Sequence, residues 1–303
     1  MDNDRRVLIP IPALFSFEEC LWFLNRNYDD CLHLIKNNTI YKSLALDGEL
    51  LLIAIKSNGA FLDVSVLEGN VSAEAKDFLT KYVVDWFDMD RNIQPFYDGL
   101  LADNRLSYMA DAYQGLRVIG IANLFEAICW SIIGQQINLS FAYRLKRRLV
   151  ERFGEHLEYD NHVYHIFPAA EILAEAEVDE LRGMQFSQKK AEYLIGIARA
   201  FLDGSLSKEM LLDLPDFEAR KKALISHKGI GVWTANYALM KSLKEPEGIP
   251  HGDIGLLNAL TSHGIIQERS ETQKIDALFA QFKGWESYLV FYLWRSLAVK
   301  ELA

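Results

Sequence analysis

Cysteine is scarce in this chain. Three occur in 303 residues, Cys20, Cys31 and Cys129, and none follows the last of these. They are too few and too scattered for a disulfide framework or a four-thiolate cluster, and read as small apolar side chains in a core. The seven histidines fall in no spacing that would turn two imidazoles onto one metal ion, so no catalytic metal is expected. No apolar run reaches the roughly twenty residues that cross a bilayer. The beginning, MDNDRRVLIPIPALF, has an early basic pair but no long apolar core before a small-residue cleavage site. The expectation is a cytoplasmic protein with no signal peptide. Tandem repeats and low-complexity linkers are absent. Positive charge is short as well: 32 Lys and Arg against 42 Asp and Glu leave a net −10, which as a bare sum argues against nucleic acid as a partner.

What is present is ordinary for a folded protein, half hydrophobic and 24% charged, and long enough for two cores. Residues 1–95 read as mixed α and β. Ser16 is a fitting N-cap for a helix over 17–24 with Glu18 and Glu19 in its first turn. Strands are expected at 39–46, 49–57 and 61–67, joined by the hairpin signals Asp47-Gly48 and Asn58-Gly59, then a helix over 73–87. From 96 to 303 the pattern is helical throughout. Helices are expected at 93–103, 106–113, 124–133, 139–153, 169–175, 178–183, 188–203, 208–212, 217–225, 232–243, 254–262, 272–281 and 287–298, the last folding back onto the rest. The fold class is α+β: a small antiparallel sheet domain with helices, followed by a mainly α-helical domain.

Charge is unevenly spread. Residues 141–152 carry Arg144, Lys146, Arg147, Arg148 and Arg152 against the single acid Glu151, with further basic spots at Lys189, Lys190 and 220–222. The first part holds many of the acids, among them Asp77, Asp85, Asp88, Asp90, Asp98 and Asp103. A basic second half would reconcile the acidic total with contact to a nucleic acid.

The most informative stretch runs from His227 to Asp253. Gly229 and Gly231 flank Ile230 and permit a turn that other residues resist. The turn feeds a helix whose first amides are unpaired and carry the positive end of the dipole, a setting for phosphate. A Gly/Pro-rich loop, 246–252, then leads to Asp253 at the start of another apolar helix. A carboxylate there has two readings that can hold together, an N-cap or a group that stabilises an oxocarbenium-like state or activates water.

These residues, GIGVWTANYALM followed by IPHGDIGLL, resemble the helix-hairpin-helix and Gly/Pro-Asp motif of the DNA glycosylase superfamily. They are similar to its alkylation-repair branch, the bacterial DNA-3-methyladenine glycosylase II family. Weaker likeness extends from about 115 to 296, and the first hundred residues show no recognisable motif. The resemblance implies Asp253 as the catalytic carboxylate. Lyase-active relatives carry a lysine two residues after the second glycine; here that position is Trp233, which has no nucleophile, so a monofunctional glycosylase is expected. Trp233 and Tyr237 share a helix face, and with Trp285 they are expected to hold an electron-poor alkylated purine by stacking.

Lys228, Gly229, Ile230 and Gly231 would anchor backbone phosphates of the DNA, and the hairpin carbonyls would hold a monovalent cation. His227 and Lys228 stand where the family usually has Leu-Pro. In the run from Ile132 to Ile137, Gln135 and Gln136 resemble the segment that wedges into DNA, with Gln136 where the family often has Leu. The iron–sulfur cluster of many relatives is excluded, since no cysteine follows Cys129. The implied activity is excision of 3-methyladenine, 7-methylguanine and related bases from double-stranded DNA by a monomer with no cofactor. The alternatives are a non-catalytic helix-hairpin-helix DNA-binding protein, or a glycosylase for oxidised or deaminated purines.

Overall fold

A computed structural model describes residues 3–26 and 30–298. After a 3-10 turn at Asn3–Arg5, the chain forms β1 (Arg6–Pro10), α1 (Phe17–Leu24), β2 (Leu34–Lys36), β3 (Thr39–Leu46), β4 (Glu49–Ser57), β5 (Phe61–Glu68) and α2 (Ala73–Trp86). The strands make one antiparallel sheet in the order β1-β5-β4-β3-β2. Ser16 caps α1 by accepting the Glu19 amide. Leu46 pairs with Glu49 across a two-residue turn, with Asp47 and Gly48 both at positive φ as such tight hairpins demand. Asn58 closes the next hairpin by accepting the amides of Ala60 and Phe61. The sheet has two strands beyond the three expected. β2 is three residues long, below what alternation can signal. β1 is a short edge strand ending in Pro10, located only by its pairing with β5 and by the ion pair of Arg6 with Asp63.

The helical part comprises α3 (Gln94–Ala102), α4 (Met109–Ala112), α5 (Leu124–Gly134), α6 (Leu139–Phe153), α7 (Ala170–Ala174), α8 (Val178–Gly183), α9 (Gln188–Leu202), α10 (Lys208–Leu212), α11 (Phe217–Ile225), α12 (Val232–Ala238), α13 (Ile254–Ser262), α14 (Thr272–Gln281) and α15 (Glu286–Ser296). A hairpin unanticipated from sequence, β6 (His156–Tyr159) and β7 (His162–His165), turns at Asp160-Asn161, both at positive φ. Ser43 ties it to the sheet by donating to the Tyr164 carbonyl. No helix among the described residues is long and apolar enough to cross a membrane.

Two apolar cores result. One packs α12 against α5, α6, α9 and α11. The other packs the sheet and α1–α3 against α13–α15, so the end of the chain returns to the sheet it began with. Trp130 touches both cores.

The helix expected over 232–243 changes character at Leu239, where a π-turn spans Leu239–Leu243. The segment after α4 explains it. Ile121 donates its amide to the Lys241 carbonyl, the Lys241 ammonium donates to the Ile119 carbonyl, and Ser242 donates to Ala122. These contacts join the widened turn to the 119–122 segment, and π-turns of this kind recur near functional sites. Arg117 locks the same segment: only 1% exposed, it donates to the carbonyls of Leu14, Asp88 and Arg91.

Candidate active site

The loop between α12 and α13 is clamped from two sides before it delivers Asp253. Asn236 on α12 donates to the Ile249 carbonyl at 2.6 Å. Ser287 on α15 gives its amide to Pro246 and its hydroxyl to Glu245 and Gly248. Gly248 lies so close to Asn236 and Met240 that a Cβ would meet both at 3.0 Å. Asp253, half-buried, then starts α13. Its Oδ1 accepts the Leu256 amide at 2.7 Å and the indole N–H of Trp294 at 2.9 Å. Oδ2 accepts no hydrogen bond among the described residues. The cap and the functional reading are therefore compatible, because one oxygen is pinned and the other is available.

The tryptophan beside Asp253 is Trp294, not Trp285. Trp285 is nine residues earlier, roughly 13 Å along the axis of α15, packed against Phe96 and Tyr288 with ring centroids at 6.1 and 5.5 Å. The family resemblance alone singled out Trp285, which is the N-cap residue of α15, whereas the contact of α13 with α15 brings Trp294 to Asp253.

Trp233 and Tyr237 stack on one another at 5.3 Å and 13°, as their spacing implies. The Tyr237 hydroxyl accepts from the Trp130 indole at 3.1 Å, and burial pushes its own ionisation up. From Trp294 an aromatic path runs inward through Phe291, 6.2 Å away, to Phe23, a further 4.7 Å. Between Phe23 and Tyr237 opens a cavity of about 380 Å³, also lined by Trp130, Tyr143 and Lys241. It lies on the seam between the two cores. Asp253, Trp233 and Trp285 are not in its wall.

The hairpin needs its first glycine more than its second. Gly229 has φ +96°, and a Cβ there would stand 2.5 Å from Cγ of Tyr193. Gly231 has φ −90° and open space where a Cβ would go. Lys228 is exposed. Ile230 is 4% exposed and its amide donates to the His227 carbonyl, so it packs the hairpin instead of facing a partner.

Gln135 is likewise committed. Its side-chain amide donates to the Gly229 carbonyl and to Thr234 Oγ1, both at 3.0 Å, bracing the hairpin from α5. Gln136, by contrast, is exposed at the tip of the α5–α6 loop with φ +57°. The basic run of α6 is mostly engaged by partners within the chain. Lys146 is buried with Asp30 and near Glu126, Arg147 pairs with Glu151, Arg148 donates to Met184 and Gln185, and Arg152 pairs with Glu180. Lys190 reaches the Ile133 carbonyl at 2.7 Å. Lysines and arginines at helical spacing look alike in sequence whether they face solvent or acids from distant elements. All three cysteines are buried, and no cluster of His, Cys, Asp and Glu suited to a metal occurs among the described residues.

Comparison with known proteins decides the lineage. Residues 129–283 match the model of the HhH-GPD superfamily of base excision DNA repair proteins, and residues 27–128 match the N-terminal domain of 8-oxoguanine DNA glycosylase. The chain belongs to the HhH-GPD superfamily. This member is 38% identical over 296 residues to a DNA-3-methyladenine glycosylase of Bacillus subtilis, covering 96% of this chain and 97% of that one. It is 29% identical over 209 residues to DNA-3-methyladenine glycosylase 2 of Escherichia coli, 69% of this chain and 68% of that one. Its fold matches that of a 3-methyladenine DNA-glycosylase from Archaeoglobus fulgidus at a TM-score of 0.81 and 23% identity, covering 98% and 99% of the two chains. Residues 27–128, most of them mute to motif reading, thus match the N-terminal domain of a glycosylase.

Proposed function

We propose that this HhH-GPD protein is a monofunctional glycosylase. It excises alkylated purines, 3-methyladenine and 7-methylguanine among them, from double-stranded DNA, acting as a monomer. The observation that carries the reading is the Asp253 carboxylate, held by two donors on Oδ1 with Oδ2 uncommitted. Breaking an N-glycosidic bond builds positive charge on the deoxyribose. A carboxylate held in place stabilises that charge without reorganising, and it can orient the attacking water.

The flipped base leaves the stack and enters past Trp233 and Trp294 toward Tyr237. Trp294 takes the base-holding place that the sequence assigned to Trp285. Aromatic faces favour an electron-poor ring, by about 1–3 kcal/mol per stacked base in related settings. The hairpin at Lys228–Gly231 grips the strand through main-chain groups, which reads no sequence, and Gln136 fills the gap left by the base. The hairpin carbonyls are the place for a monovalent cation. Trp233 offers no amine to the sugar, so the product is an abasic site in an intact strand.

The test is single-turnover release of 3-methyladenine and 7-methylguanine from methylated duplex, with Asp253→Asn in parallel and DNA binding measured for both. Release by the native chain and none by the variant, at equal DNA affinity, is the expected result. Turnover retained in Asp253→Asn would remove the carboxylate from the mechanism. A native chain that binds duplex yet releases nothing would favour a binding protein. An adduct trapped by borohydride would mean a lyase.

A further inference from the structure

Lys241 continues the row of Trp233 and Tyr237, four residues further into the protein. It is 1% exposed and lines the cavity into which Tyr237 faces. Its ammonium lies 4.3 Å from the centroid of Phe23 and 5.0 Å from that of Phe291. Its protein partner is the Ile119 carbonyl; no carboxylate stands within ion-pair distance among the described residues. The Lys241 ammonium therefore sits against the rings at the inner end of the aromatic path from Trp294.

The surroundings do not cancel this charge. Of the acids in the wall, Asp30 is bonded to Lys146 from α6, and Glu126 of α5 lies 3.8 Å from the same ammonium. Lys42 of β3, itself pushed down by burial, and Arg26 beyond α1 are further basic groups here, and burial pushes His33 down against the pull of Asp30. On the α15 side Arg295 is paired with Glu19. Burial, with Arg26 as a lesser like-charge neighbour, pushes the Lys241 ammonium well below its usual range.

We propose that Lys241 is a specificity-determining residue that sorts bases by charge. As an ammonium it donates to an acceptor on a neutral purine and repels a cationic one; as an amine it admits both. The proposal rests on the glycosylase reading above and goes further, to which lesions the cavity prefers and under what conditions.

The experiment compares hypoxanthine with 7-methylguanine in otherwise identical duplexes. Both carry a 6-carbonyl, and while 7-methylguanine keeps its N1 proton, in mildly acidic buffer, only the second is cationic. Single-turnover excision rates, corrected for spontaneous base loss, are taken in that buffer, and their ratio is followed because it cancels groups such as Asp253 that act on both substrates. Lys241→Met and Lys241→Gln each lower the hypoxanthine-to-7-methylguanine ratio by about tenfold or more, the scale of a like-charge pair a few ångströms apart in a protein interior, whereas Lys241→Arg keeps the native ratio.

A Lys241→Met or Lys241→Gln protein that keeps the native ratio overturns the proposal, and so does a Lys241→Arg protein whose ratio falls as far as theirs. Absence of release from every lesion overturns the glycosylase reading itself and this proposal with it, which separates the two failures.

Discussion

Substituting the two hairpin glycines one at a time tests whether the hairpin is built as described. At Gly229 two costs add. A residue with a Cβ held at φ +96° loses about 1–2 kcal/mol relative to glycine. The new Cβ would also stand 2.5, 2.7 and 2.8 Å from Cγ, Cβ and Cδ2 of Tyr193, and relieving such overlap in a packed site costs about 1–3 kcal/mol. Gly229→Ala should therefore lose about 2–5 kcal/mol, a fall of roughly 5–15 °C in Tm at the few degrees per kcal/mol typical of large domains. Gly231→Ala places its methyl in open space at an ordinary φ and, at the N-cap of α12, should lose only about 0.5–1 kcal/mol. The assay is thermal unfolding by circular dichroism, with binding to undamaged duplex measured alongside. Adding Tyr193→Ala to Gly229→Ala should recover only part of the loss, because the Tyr193 Cβ at 2.7 Å remains and the φ penalty is untouched. Equal melting of the two single variants would refute the hairpin geometry; full recovery in the double variant would refute the strain argument.

Three further outcomes follow from other contacts. Trp294→Phe keeps an aromatic ring but removes the donor to Asp253. A hydrogen bond to a charged group contributes about 1.5–3 kcal/mol, so base release should slow by about 10- to 150-fold with duplex affinity unchanged, and an unaltered rate would show that the indole does not position the carboxylate. Arg117→Met leaves three inward carbonyls without their donor and should destabilise the chain by about 3–5 kcal/mol, read as a lower urea midpoint. Acid should weaken the cavity wall. At Asp30 burial alone would raise the carboxyl, but the charges of Lys146 and His33, with hydrogen bonds from Lys146 and the Leu32 amide, outweigh it and hold it below the usual carboxylate range. A depressed folded value means stability present above about pH 4 and lost as pH falls below it. Asp30→Asn, already lacking this contribution, should show a shallower loss of Tm between about pH 5 and pH 2 than the native chain.

Much of this protein is written locally. The caps at Ser16 and Asp253, the turn at Asp47-Gly48, the hairpin glycines and the stacked pair Trp233–Tyr237 each depend on residues within four or five positions of one another. Spacing along one helix or turn is enough to find them. The family motif was legible for the same reason, being one hairpin, one helix and one loop. The order of the helices and the α+β division were legible from period and capping.

The rest depended on partners far apart in the chain. That Trp294 and not Trp285 meets Asp253, 41 positions away, is settled by how α13 crosses α15. That Lys146 is an internal countercharge to Asp30, 116 positions away, is settled by the sheet domain folding against α6. Gln135 braces Gly229 from 94 positions away. Side-chain type and period decide which face of an element is apolar. They do not decide which distant element that face meets, because the contact free energies are alike for many pairings and only the packed whole selects one.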